Sequence, residues 1–120
     1  MSSQRIHFKV DLTILEGKFA EFEEIAKELI AGSLKEPGTL GYEWHLGQDR
    51  GQCRVLETYA DTNAALAHIN GAVVKELLPK LLGFCSIDAC EVYGDPGPKV
   101  REMLQGLKPK IFPYWKGLGK

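Results

Sequence analysis

The stretch Glu36-Pro37-Gly38-Thr39-Leu40-Gly41-Tyr42-Glu43-Trp44-His45-Leu46-Gly47-Gln48-Asp49-Arg50-Gly51-Gln52-Cys53-Arg54-Val55-Leu56-Glu57-Thr58-Tyr59-Ala60-Asp61 holds two strands and the signals that bound them. Pro37 disfavours helix in the residue before it and Gly38 permits reversal, so a helix arriving from upstream stops here. The pattern predicts a strand over about 39–48, with Leu40, Tyr42, Trp44 and Leu46 on one face and Glu43 and His45 on the other. Asp49-Arg50-Gly51 makes a hairpin loop, and Gln52–Ala60 reads as the antiparallel partner. Asp61 suits the N-cap of a further helix. A hairpin flanked by two helices is the centre of the fold.

Working outward, Ile6, Phe8, Val10, Leu12 and Ile14 alternate with His7, Lys9, Asp11 and Thr13, which is the pattern of a half-buried strand. Phe19, Phe22, Ile25, Ala26, Leu29, Ile30 and Leu34 then recur at helical spacing over about 18–35, with Glu21, Glu23, Glu24, Lys27 and Glu28 opposite. Downstream, Thr62–Asn70 groups Ala65, Leu66 and Ile69, and Gly71 breaks that helix. Residues 72–82 continue as helix, kinked or restarted around Pro79. Cys85–Tyr93 is the fourth strand. The order β-α-β-β-α-β is the ferredoxin-like split βαβ: an α+β fold with a four-stranded antiparallel sheet and helices on one face.

The stiff segment Gly94-Asp95-Pro96-Gly97-Pro98 separates this unit, residues 1–94, from an extension over 95–120. A short helix is expected over Lys99–Leu107, grouping Val100, Met103, Leu104 and Leu107, followed by Ile111, Phe112, Tyr114 and Trp115. So many large apolar groups should dock on something.

The chain has 120 residues and a net charge of −1, enough for one domain with a sizeable core. That charge is a split: residues 1–94 carry nine basic and fourteen acidic groups, whereas 95–120 carry six and two. A basic, aromatic tail after an acidic body reads as a strap onto an acidic, apolar surface of its own dimer. Its prolines forbid a regular amphipathic helix, and no apolar run is long enough to span a bilayer, so no membrane partner is expected. No apolar leader follows Met1, and an odd set of thiols, Cys53, Cys85 and Cys90, suits a reducing cytoplasm. Five residues apart on a strand, Cys85 and Cys90 should point to opposite faces, a poor arrangement for a metal, and none is expected. An RNA-recognition module needs a basic, aromatic third strand, which 52–59 lacks, so no nucleic-acid partner is expected either.

The element order, the turn Glu36-Pro37-Gly38-Thr39-Leu40-Gly41-Tyr42 and the run Glu57-Thr58-Tyr59-Ala60-Asp61-x-x-Ala64…His68 resemble the antibiotic biosynthesis monooxygenase-like family over about residues 5–93. The resemblance implies a homodimeric α+β barrel with a small-molecule cavity in each subunit. It also implies oxidation of a phenol or quinol by dioxygen with no metal or flavin, so no cofactor is expected. A base would take a proton from a small aromatic substrate, and hydrogen-bond donors would hold the oxyanion. Histidine suits the base because it titrates near neutrality. His68, on the helix after the third strand, matches a histidine of the family's Ala-x-x-x-His segment; His45 is a second candidate and His7 a weaker one.

Trp44 and Tyr59 would flank the ring, and Glu57, at the family's acidic position, would orient it. Each has a plainer reading: His68 as a packing residue, Trp44 and Tyr59 as core, Glu57 paired with Arg54 or a helix-end amide. Haem-degrading relatives carry an asparagine on strand one and a tryptophan ending strand three. This chain has neither, which disfavours haem degradation. The sequence leaves open which strand face lines the cavity, and a non-catalytic binding or assembly dimer of the same fold stands as the alternative.

Overall fold

The computed structural model describes residues 4–118. Strand β1 (Ile6–Ile14) leads into helix α1 (Phe19–Ser33), then strands β2 (Thr39–Leu46) and β3 (Gln52–Tyr59). Helices α2 (Thr62–Asn70) and α3 (Ala72–Leu81) precede strand β4 (Cys85–Tyr93). Helix α4 (Gly97–Leu104), a 3-10 turn over Gln105–Leu107 and strand β5 (Lys110–Phe112) follow. The sheet order is β2-β3-β1-β4-β5, antiparallel except for β5, which runs parallel to β4. The ferredoxin-like α+β order is present, but the sheet has five strands rather than four. Three residues between Pro109 and Pro113 are too short a run for alternation to register, and flanking prolines confine such a segment to an edge.

Ile6, Phe8, Leu12 and Ile14 are buried on the helix-covered face. Register puts Tyr59, Glu57, Val55 and Cys53 of β3 beside Ile6, Phe8, Val10 and Leu12, on that same face. Tyr42 and Trp44 pair with Glu57 and Val55 and join them. His7, Lys9, Asp11, Glu43 and His45 occupy the open face, where Arg54 Nε lies 3.2 Å from Asp11 Oδ1. The face the sequence left unassigned is therefore settled: Trp44 and Tyr59 look toward the helices.

Two bulges shift the expected parity. On β2, Thr39 pairs with Tyr59 and Gly41 with Thr58, so Leu40 is an extra residue and sits half-exposed, away from Tyr42 and Trp44. On β4, Ala89 pairs with Asp11 and Ile87 with Leu12, so Asp88 is extra. That insertion brings Cys85 and Cys90 to one face, opposite Ile14 and Val10, where both are buried. The expectation of opposite faces fails because an inserted residue resets the period of two.

Helix α1 buries Phe22, Ala26, Leu29 and Ser33, while Leu34, expected on its apolar stripe, is 86% exposed. Its close approach to α3 depends on Gly32, where an added Cβ would meet the Val73 methyls at 2.7 Å. The break between α2 and α3 falls at Gly71, which is extended (φ −67°, ψ 155°), and Pro79 is accommodated inside α3. Among the described residues, no helix is long and apolar enough to cross a membrane.

The extension folds back on its own chain. Val100 is fully buried and Leu104 nearly so, in a core cluster with Phe8, Cys90 and Val92. The Gly94 N–H donates to Phe112 O at 2.9 Å, and the Tyr93 and Phe112 rings stack at 5.3 Å. Trp115 takes no part in this and is 83% exposed.

Candidate functional site

Two apolar clusters make up the core, one around Leu12, Phe22 and Leu81, the other around Phe8, Tyr59 and Val100. A cavity of about 130 Å³ lies between sheet and helices, and residues from both clusters line it. That volume is close to the ~150 Å³ apolar cavity known to accept benzene. Leu29, Leu78, Leu81 and Ile87 give the wall its aliphatic character; Glu57, His68 and Tyr42 give it polar atoms.

His68 reaches the cavity because of local capping. The Asp61 side chain accepts the Ala64 N–H at 2.8 Å and starts α2. One turn apart on that helix, Ala65 and His68 then face inward together. His68 Nδ1 lies 2.7 Å from Glu36 Oε1. A carboxylate only accepts, so Nδ1 carries a hydrogen toward Glu36, and in the neutral imidazole this tautomer leaves Nε2 as the acceptor. The Thr39 hydroxyl donates to the same Glu36 oxygen at 2.9 Å and fixes it. Nε2 lies 3.9 Å from Glu57 Oε1, too far for a direct hydrogen bond. Edge-on contacts from Tyr42 (5.2 Å) and a tilted Tyr59 (5.3 Å) hold the imidazole plane.

Glu57 is enclosed, and its Oε1 accepts the Tyr59 hydroxyl. Burial pushes its carboxyl above the usual range; the nearby His68 and the Tyr59 hydrogen bond pull the other way without reversing this. Burial also raises the Tyr42 and Tyr59 phenols, with Glu57 adding to both, so each stays a protonated donor. The site thus combines an oriented imidazole, a carboxyl biased toward its neutral form and two phenols. Among the described residues, no three His, Cys, Asp or Glu side chains form a metal-holding group.

Of the residues singled out from sequence, Trp44, Glu57 and His68 line one cavity. Tyr59 lies behind the wall, fully buried, and touches Glu57 and His68 instead of the open space. His45 is on the opposite face, exposed, with Nε2 3.5 Å from Glu43 Oε1. Glu57 does not pair with Arg54, which faces the other way and meets Asp11. Glu36 and Tyr42 were not singled out. Tyr42 was legible as the neighbour of Trp44 on one strand face, whereas Glu36 was masked by its position in a helix stop.

The family model described as antibiotic biosynthesis monooxygenase matches residues 6–80. The chain belongs to this family. Solved structures share the fold over more of the chain. MupZ from Pseudomonas fluorescens is 24% identical with a TM-score of 0.83, covering 98% of this chain and 96% of that one. A Caulobacter crescentus CB15 protein assigned to antibiotic biosynthesis monooxygenases is 26% identical, with a TM-score of 0.67 over 75% of this chain and 86% of its own. SnoaB of Streptomyces nogalater, described as a cofactor-independent oxygenase, is 14% identical, with a TM-score of 0.69 over 80% of this chain and 97% of its own. A search of curated proteins gives no match.

Proposed function

We propose that the protein is a cofactor-independent monooxygenase acting on a single-ring quinol-type substrate. The observation that carries this reading is the Glu36–His68 pair set at the wall of a ring-sized cavity, with a neutral-leaning Glu57 beyond Nε2. His68 Nε2 takes the proton of a ring hydroxyl, and Glu36 offsets the charge on the resulting imidazolium. Tyr59 occupies Glu57 Oε1, leaving Oε2 to carry the carboxyl proton and donate to the phenolate oxygen. The electron-rich ring carbon reacts with dioxygen, and the peroxide loses water: quinol plus O₂ gives hydroxyquinone plus H₂O. All electrons come from the substrate, so no outside reductant enters. Family membership and the fold shared with SnoaB support this reading.

Dimerisation belongs to the same proposal. Leu40, Leu56 and Phe112 are exposed large hydrophobics around an open sheet face that a second copy would cover, checked by mass in solution. Three free, buried cysteines fit a reducing cytoplasm. Oxygen uptake with single-ring quinols tests the chemistry. His68→Ala is expected to lower it by about 100-fold or more, and His45→Ala to leave it unchanged. Uptake insensitive to His68→Ala, or absent across a quinol panel, would favour a binding module instead.

A further inference from the structure

Polar and apolar parts of the cavity wall are segregated along the sheet. Register sets Tyr42, Glu57 and Phe8 side by side in one row of the floor. Trp44, Val55, Val10 and Cys90 form the next row, and Leu12 and Ile87 the third. Successive rows are two residues apart, about 7 Å along the strands, so the three span about 13 Å. His68 stands over the first row, its ring against Tyr42 and its Nε2 3.9 Å from Glu57 Oε1. Leu29, Leu78 and Leu81 pack in the same cluster as Leu12 and Ile87 and close the cavity over the third row. Beyond the first row, among the described residues, no lining side chain offers the cavity a strong donor or acceptor. Trp44 Nε1 has no accessible surface there, and the Cys90 thiol is only a weak donor.

A ligand lying along this cavity meets hydrogen-bonding groups at one end only. An oxygen at the other end would leave water and gain no partner, a loss of about tenfold or more in affinity. A methyl group in the same place is removed from water, a gain of about threefold. We propose that the bound ring carries its two oxygens on adjacent carbons, facing His68, Glu57 and Tyr42, and a short apolar substituent on the opposite edge, facing Leu12 and Ile87. The substrate class is then a 4-alkylcatechol, in preference to a hydroquinone, whose second oxygen lies across the ring. His68 and Glu57 hold the oxygen that loses its proton, and the Tyr42 hydroxyl donates to the oxygen next to it. This rests on the oxygenase reading for which oxygen is deprotonated, and the same balance holds: alkylcatechol plus O₂ gives a hydroxylated ortho-quinone plus H₂O. The arrangement itself concerns binding and is measured without turnover.

The test compares 4-methylcatechol with methylhydroquinone, isomers that differ only in where the second hydroxyl sits. Each is titrated anaerobically into the full chain and followed by calorimetry. The catechol is expected to bind about tenfold tighter. Tyr42→Phe, which keeps the ring against His68, should weaken 4-methylcatechol about tenfold and 4-methylphenol less than twofold. Equal affinity for the two isomers, tighter binding of methylhydroquinone, equal weakening of both ligands by Tyr42→Phe, or no binding of either isomer overturns the assignment. Oxygen uptake is then measured with both isomers. A catechol preference in a protein that consumes no oxygen leaves the assignment standing and removes the oxygenase reading. Oxygen uptake without a catechol preference in binding does the reverse.

Discussion

Glu57 sits on an inner strand with its carboxyl mostly buried at the cavity wall, and Tyr59 beside it is fully buried. Burial favours the uncharged form, so the folded state binds this proton more tightly than the unfolded chain does. Below about 4.5, the ordinary carboxyl value, both states are protonated and the group has no effect on stability. As pH rises past that value the unfolded chain releases its proton first, and Glu57 increasingly disfavours folding until its own raised value is reached. Glu57→Gln keeps the acceptor for Tyr59 and removes this titration. Urea unfolding at pH 5 and pH 8 should show wild type losing more stability than the variant across that interval. Equal losses would mean that Glu57 ionises in the folded protein as freely as in the unfolded one. The same burial pushes the Cys53, Cys85 and Cys90 thiols up to about 11, in keeping with inert structural roles.

At the level of elements, the site is made where the α1–β2 turn meets α2. Gly38 lies against Ala64, and a Cβ added there would come within 2.4 Å of the Ala64 Cβ. Gly38→Ala must therefore push the turn from α2, and with it Glu36 from His68. The expected cost is about 1–3 kcal/mol of stability with a fall in oxygen uptake, measured by thermal melting and an oxygen electrode. An unchanged melt would show that the turn yields freely. This contact also explains what sequence reading could reach. The alternation of β1 and the Asp61 cap were legible because each is written in a local run of residues. The Glu36–His68 pair was not, because Glu36 lies 32 positions from its partner and looks like a mere helix stop beside Pro37. The bulges at Leu40 and Asp88 were equally hidden, since an inserted residue is defined only by the partner strand. His45, read on the strand face opposite Trp44, stands there in the structure and so lies away from the cavity that Trp44 lines.

Over the whole molecule, the split between an acidic body and a basic tail describes charge better than it describes packing. The family match ends at residue 80, yet Leu104 and Leu107, from beyond Gly94, close part of the cavity wall. The extension thus contributes apolar side chains to the site while its Lys99, Lys108 and Lys110 remain at the surface. If this wall limits ligand size, trimming it should admit larger rings without harming the Glu36–His68 pair, which lies on other elements. Leu107 is the better probe because it is 37% exposed, so its truncation leaves the core cluster around Val100 intact. Leu107→Ala is expected to cost about 1 kcal/mol of stability or less and to improve binding of a two-ring naphthoquinol about tenfold. Binding of the single-ring hydroquinone should change less than threefold, since its contacts with His68 and Glu57 are untouched. Calorimetric titration of both ligands into wild type and variant decides the matter. A two-ring ligand gaining nothing in the variant would show that another wall sets the limit, and that the extension is only packed beside the cavity.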